Sequence, residues 1–270
     1  MTRSAWLLAL ALSYFMAAFV TATEVIAHRG CSAYAPENTL SAMKLAWESG
    51  ADACELDIHL TRDGHIVVIH DKDTARTAGG VNLIVKDSTL SELSALDVGK
   101  WKAPKWAGER IPTLAQCLAT LPESNGRIFI EIKSGPEIVP ALTRLLEPIK
   151  TRASQLVIIS FDEQAVARSK ASMPWLKVFL LKSGKERKTG AKHDIADVIS
   201  KAKEHRLDGL NLGADWDWSA ALVQQVRAAG LGLYAWTVNK PDLARQLAGL
   251  GVDGITTDDP ALIRKALERK

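Results

Sequence analysis

Hydrophobic and polar positions alternate most regularly between Asp52 and Asp71. Leu56, Ile58 and Leu60 interleave there with Glu55, Asp57 and His59, and a second extended run returns over Ile66 to His70. Period-two alternation on both sides of Asp63-Gly64 predicts a β-hairpin closed by a two-residue type I′ turn. With that loop Arg62 faces His65, Glu55 faces Lys72 and Asp57 lies opposite His70, close enough for a carboxylate and an imidazole to meet. Taken alone, the stretch also fits a half-exposed hairpin with a solvated polar face.

Strand and helix patterns alternate through the remaining chain. Glu24 to Ala27 is a short apolar strand, Asn38 is a candidate N-cap, and Leu40, Met43, Leu45, Ala46 and Trp47 form the apolar stripe of a helix that ends at Gly50. Further extended runs follow at Arg127 to Lys133, Leu156 to Phe161, Lys177 to Leu181, Asp208 to Leu212, Leu231 to Val238 and Asp253 to Asp258. Helical patterns separate them at Ile138 to Ile149, Glu163 to Met173, Ile195 to His205, Ala220 to Ala229 and Pro241 to Leu250. Strands alternating with helices predict a parallel sheet covered by helices.

Every extended run together makes nine. The run His65 to His70 cannot be a parallel neighbour of the preceding strand, because a parallel pair needs a crossover of about a dozen residues. It is read as the return arm of a hairpin, which leaves eight strands: an α/β chain forming a (β/α)8 TIM barrel, with a hairpin and a small insertion after strand 2 and reactive side chains at the C-terminal strand ends. The insertion covers about residues 73–111. It reads as a loop from Asp73 to Asn82, a capping box Thr89-Leu90-Ser91-Glu92 opening a short helix through Leu96, and a Trp- and Pro-containing connector from Lys100 to Ile111. A covering role over the site and a packed excursion without chemical role both remain open.

Composition bounds the reading. The 270 residues suit one large domain, and 47% hydrophobic with 24% charged residues is ordinary globular usage. A net charge of +3, without a Lys/Arg stripe interleaved with aromatics, gives no reason to expect a nucleic-acid partner. Arg3, an apolar run from Ala5 to Val20 and the small residues near Ala22 resemble a secretory signal peptide over residues 1–22, leaving 23–270 as a single domain in a periplasmic or secreted location. An uncleaved anchor is the alternative, but the run falls short of the ~20 residues that a span requires, so no stable membrane span is expected after cleavage. Cys31, Cys54 and Cys117 lack C-x-x-C spacing and read as small buried hydrophobes, with a Cys54–Cys117 bridge left open.

The chemistry gathers at the predicted strand ends. Glu55 and Asp57 share one face of strand 2, and Glu131 closes strand 3. Three converging carboxylates call for a counter-ion, and an all-oxygen set favours one hard divalent cation, Mg2+ or Ca2+. Alternatively Glu131 pairs with Lys133. His28 closes strand 1 and His70 arrives on the hairpin, so an imidazole stands on either side of the proposed metal, as a general acid and a general base would. Arg29 and Lys133 add positive charge where a phosphoryl group could be held. His59, His65, His193 and His205 read as surface or structural.

In order along the chain, His28-Arg29-Gly30, Pro36-Glu37-Asn38-Thr39, Glu55-Leu56-Asp57, His70-Asp71, Ile111-Pro112-Thr113-Leu114, Glu131-Ile132-Lys133, Trp236-Thr237-Val238-Asn239 and Asp253 to Asp258 resemble the glycerophosphodiester phosphodiesterase family. The resemblance covers essentially all of the chain after residue 23. It implies a TIM barrel with an insertion after strand 2, a divalent metal, and hydrolysis of deacylated phospholipids to glycerol 3-phosphate and an alcohol. By matching position it makes Glu55, Asp57 and Glu131 the metal ligands, His28 and His70 the acid/base pair, and Arg29 and Lys133 the phosphate and substrate contacts. Trp236 is either an apolar wall for glycerol or rim packing. Glu37 either supports the metal or Arg29, or favours the start of the following helix. Trp216 and Trp218 are candidate contacts to the alcohol or a lipid surface. The alternatives are lysophospholipase D or sphingomyelinase D-like hydrolysis of lipid phosphodiesters, and a non-catalytic binding barrel.

Overall fold

The structure is a computed structural model describing residues 22–268. The signal-peptide expectation therefore falls, but for Ala22, outside the described residues. The first half of the chain lays down β1 (Glu24–Ala27), α1 (Leu40–Glu48), β2 (Ala53–Leu60), β3 (Ile66–Val68), α2 (Leu90–Ser94), α3 (Leu114–Leu118), β4 (Arg127–Ile132) and α4 (Val139–Leu146). The second half adds β5 (Leu156–Ser160), α5 (Glu163–Ser172), β6 (Lys177–Lys182), α6 (Ile195–Glu204), β7 (Gly209–Gly213) and α7 (Ala220–Ala228). It ends with β8 (Gly232–Trp236), α8 (Pro241–Leu250), β9 (Gly254–Thr257) and α9 (Pro260–Glu268), a last helix that the sequence reading does not include. The strand order is β1-β9-β8-β7-β6-β5-β4-β2-β3, and β1 also pairs with β2, so the eight parallel strands close into a barrel with β3 antiparallel at the outer edge of β2.

Alternation along each strand separates two cores. Ile26, Ala53, Phe129, Val157, Ile159, Phe179, Leu181 and Tyr234 fill the barrel interior, whereas Leu56, Ile58, Ile128, Ile130, Ile158, Val178 and Leu180 belong to the shell beneath the helices. At the N-terminal end of the interior, Arg127 reaches Glu24 and donates Nη2 to the Tyr234 hydroxyl at 2.8 Å. Above the apolar layer the inward rows turn acidic: Glu55 is the register partner of Phe129, and Asp57 of Glu131. All three cysteines are free and buried, so the Cys54–Cys117 bridge is absent. Thr89 and Thr113 each close a capping box at the start of α2 and α3. Among the described residues, no helix is long and apolar enough to cross a membrane.

Three local expectations are corrected. The hairpin pairs Ile58 with Val68, His59 with Val67 and Leu60 with Ile66, one residue away from the predicted register. Its loop spans Arg62 to Gly64 rather than two residues, with Gly64 at φ 81° and the Thr61 hydroxyl tying Asp63 to the His65 amide. Asp57 consequently bonds across to the Ile69 amide, and His70 lies beyond the end of β3 in a bend. Asn38 is not the cap of α1; Thr39 is, its side chain accepting from the Ala42 amide. Asn38 instead sits at φ 60°, a left-handed conformation that Asn tolerates, and turns its amide toward Asp57. Trp216 is buried with its indole N–H on the Lys182 carbonyl, so it packs the rim rather than offering a lipid contact.

The turn after β1 decides where the first histidine stands. Arg29 and Gly30 both have positive φ, 54° and 77°, and a Cβ on Gly30 would lie 2.6–2.7 Å from Ala42 in α1. Gly30→Ala should therefore lower unfolding stability by roughly 2 kcal/mol or more, read by denaturant titration, since backbone strain and overpacking add.

Candidate functional site

Glu55, Asp57 and Glu131 meet at the C-terminal mouth, their nearest carboxylate oxygens all within 4.8 Å of one another. They are only 2%, 0% and 8% exposed, a placement that like charges occupy only with compensation. Part of that compensation is visible. Asn38 donates Nδ2 to Asp57 Oδ2 at 2.8 Å and takes the Asp57 amide on its Oδ1 at 3.2 Å. The Arg29 backbone amide donates to Glu55 Oε2 at 2.9 Å, and Arg29 Nε stands 3.4 Å from Asp57 Oδ2. Lys133 Nζ donates to Glu131 Oε1 at 2.9 Å and lies 3.7 Å from Asp57 Oδ1. The Lys133 pairing weighed as an alternative for Glu131 is therefore present, and Glu131 joins the acidic group as well.

The compensation is incomplete. Glu55 Oε1 and Asp57 Oδ1 are buried without any hydrogen-bond partner. Burial, then the charges of Asp57 and Glu131, push Glu55 well above the ordinary carboxylate range, and burial with Asp57 pushes Glu131 up to about 7. Asp57 is held low: against the effect of burial, the charges of Arg29 and Lys133 favour its ionised form. Orphaned oxygens in an all-carboxylate set fit a hard divalent cation, with Glu55, Asp57 and Glu131 as its holders.

An imidazole stands on each flank. The Asp258 carboxylate at the end of β9 takes the Nδ1–H of His28 at 2.6 Å, and His28 Nε2 turns inward to 4.0 Å from Glu55 Oε2. Asp258 is itself held by Ser32 and Asn239, and despite burial its bond to His28 leads in lowering its pKa to about 2. On the other flank Asp71 takes the Nδ1–H of His70 at 2.7 Å, while Lys133 Nζ approaches His70 Nε2 at 3.1 Å. An ammonium can only donate, so that nitrogen presents its lone pair and His70 is neutral. Burial lowers the His70 pKa accordingly, with Arg29 and Lys133 adding to it against the pull of Asp57. His59, a structural residue, sends Nε2 to the His70 carbonyl at 3.1 Å and fixes the bend from below.

All eight residues singled out from the sequence surround one mouth. Trp236 lies on its far side, half-buried, edge-on to Phe161 at 5.2 Å between ring centroids, with Lys133 Nζ 5.9 Å from the Phe161 ring. Beside His28 opens a cavity of about 480 Å³ lined in part by Arg29, Trp101, Lys102, Asp258 and Leu262. Trp101 and Lys102 come from the insertion, which has its own small core of Val85, Leu93, Val98 and Ile111 against Val67 and Ile69. The insertion is thus both packed and part of the rim. Asp258, Asp71, Arg76 and Phe161 have no role assigned from sequence, and Asn38 only that of a helix cap. Adjacency to His70 was available as a signal for Asp71, whereas Asp258 reaches His28 across 230 positions and only barrel closure joins them.

A model of the glycerophosphoryl diester phosphodiesterase family matches residues 28–262. The chain is 38% identical over 251 residues to a glycerophosphodiester phosphodiesterase of Caldanaerobacter subterraneus, covering 90% of this chain and 98% of that protein. It is 30% identical over 260 residues to one of Bacillus subtilis, covering 89% of this chain and 85% of that one. Among solved structures, a phosphodiesterase of Oleispira antarctica in complex with sn-glycerol-3-phosphate superimposes with a TM-score of 0.80 at 28% identity, covering 92% of this chain and 97% of that one.

The carboxylates make a pH-dependent test. In the cation-free protein Glu131 keeps a proton that the unfolded chain releases near 4.5, so its contribution to stability is present at low pH and lost as pH rises through about 7. A cation held by the three carboxylates would replace that proton. The thermal shift produced by added Mg2+ or Ca2+ should therefore be small at pH 5, grow toward pH 7 and level off above it; a shift constant across that window would exclude Glu131 as a holder.

Proposed function

The chain belongs to the glycerophosphoryl diester phosphodiesterase family, and we propose that it performs divalent-cation-dependent hydrolysis of glycerophosphodiesters, that is deacylated phospholipids, to glycerol 3-phosphate and an alcohol. It is accordingly a phosphoric diester hydrolase. The observation that carries the cation dependence is the pair of orphaned carboxylate oxygens, Glu55 Oε1 and Asp57 Oδ1, buried among three acids between two imidazoles. The product bound in the Oleispira relative supports the glycerol 3-phosphate half of the reading.

In this reading the scissile phosphate lies over the mouth. A bound divalent cation would polarise a phosphoryl oxygen. Arg29 and Lys133 hold the phosphate by charge, each already aimed by a carboxylate on its other side. His28 and His70 exchange protons through Nε2, one accepting from the nucleophile and the other donating to the leaving alkoxide, with Asp258 and Asp71 fixing ring orientation through Nδ1. The nucleophile is water, or the glycerol 2-hydroxyl through a cyclic phosphate that water then opens to glycerol 3-phosphate. Trp236 and Phe161 form the apolar wall for the glycerol carbons. The leader-like residues 1–22 support a periplasmic or secreted location.

A coupled assay for glycerol 3-phosphate released from glycerophosphocholine and glycerophosphoethanolamine tests the reading. Activity should vanish with chelator and return with Mg2+ or Ca2+; indifference to chelation would sink the cation dependence. Lysolipids turned over much faster than deacylated diesters would favour the lysophospholipase D alternative. His70→Ala should lower kcat by about 10²–10⁴-fold with an unchanged thermal midpoint. Asp258→Asn, which keeps size but offers the wrong partner to His28, should lower kcat by about 10²-fold.

A further inference from the structure

Glu37 and Asp71, which face Arg29 and His70 respectively, are joined by one residue of the insertion. The Arg76 guanidinium donates Nη1 to Glu37 Oε2 at 2.7 Å and Nη2 to Glu37 Oε1 at 2.8 Å, a two-pronged bond, and Nε to Asp71 Oδ2 at 2.6 Å. Glu37 Oε1 also accepts from Arg29 Nη1 at 2.8 Å, and Asp71 Oδ1 holds His70 Nδ1. A continuous chain results: Arg29, Glu37, Arg76, Asp71, His70. It joins the phosphate-facing arginine near β1 to the histidine beyond β3 without passing through the carboxylates of the mouth.

The backbone beneath Arg76 is built to hold it still. Thr74 is fully buried, accepts the Leu83 amide, donates to the Val81 carbonyl and takes the Ala78 amide on its own carbonyl. Asp73 bridges Ile84, and Ala78 enters the small core of the insertion. The guanidinium therefore projects from a braced loop, not from a free tip. Three bonds from one planar group set the directions of two carboxylates together, which a lysine ammonium on a flexible stem cannot reproduce.

We infer that Arg76 is a positioning residue that fixes Arg29 and His70 at once, so that the insertion sets the phosphate contact and the proton carrier in register with each other. The inference rests on the phosphodiesterase reading for what those two residues do, and on hydrogen-bond geometry alone for the coupling. Glu37 and Asp71 lie below the ordinary carboxylate range because, against the effect of burial, the bonds from Arg76 favour their charged forms, as expected of carboxylates locked in place.

The test combines kinetics with a spectroscopic probe. Arg76→Ala and Arg76→Gln should keep the wild-type circular dichroism, lower kcat about 10–100-fold and raise KM several-fold for glycerophosphocholine, because a proton carrier and a phosphate contact both lose their aim. Arg76→Lys, which keeps the charge without the fork, should restore little. In a background of Glu37→Gln and Asp71→Asn the further loss from Arg76→Ala should nearly disappear. By NMR, the His70 Nδ1 proton should be protected from solvent exchange in the wild type and exchange-broadened in Arg76→Ala and Arg76→Gln. Full rescue by Lys, additive losses, or an unchanged His70 signal would overturn the inference. Should the wild type hydrolyse no glycerophosphodiester, the substrate reading fails, while the His70 signal still decides the part played by Arg76.

Discussion

Mutual repulsion of three buried carboxylates is the constraint around which this barrel mouth is built. Glu55, Asp57 and Glu131 sit on the inward rows of two adjacent strands, where the register brings Asp57 and Glu131 side by side. Nearly every unusual feature nearby answers that charge. Arg29 takes a left-handed conformation that points its amide at Glu55, Asn38 takes another that turns its side chain to Asp57, and Lys133 leans back over Glu131. Gly30 lets Ala42 of α1 come against the turn that carries Arg29. Two left-handed non-glycine residues, Arg29 and Asn38, beside one cluster mark where backbone strain accompanies chemistry.

The two ends of the barrel divide the work. Below, Phe129, Phe179 and Tyr234 stack as a rigid floor, with Arg127 and Glu24 closing the base. Above, the same inward rows carry acids and, across from them on β8, Trp236, which meets Phe161 at the end of β5. An interior filled with apolar side chains keeps the acidic layer in low dielectric, where an opposite charge is bound strongly and a missing one is felt.

Much of this was legible in the sequence because period and spacing carry it. Alternation in RIFIEI and its fellow strands, the nine-run count and the impossibility of a parallel neighbour one turn away led to eight strands and a hairpin. The acids and histidines sat at strand ends, which are visible positions. What escaped depended on a single extra loop residue or on distant closure. Thr61 clasping Asp63 lengthens the hairpin loop by one and shifts its register, and His70 still reaches the mouth only because the chain bends after β3, with His59 holding its carbonyl. Asn38 resembled a cap because Asn before a helix usually is one; its role required knowing that Asp57 stood across from it. Asp258 and Arg76 act over separations of 230 and 39 positions, beyond the range of any local pattern.

The bond between His28 and Asp258 joins the first strand of the barrel to the last. That pairing has a temporal meaning. The imidazole after β1 gains its carboxylate only when β9 pairs with β1. Closure of the barrel and orientation of that ring therefore coincide, so a barrel missing β9 and Asp258 carries all three acids and both histidines yet leaves one imidazole unaimed.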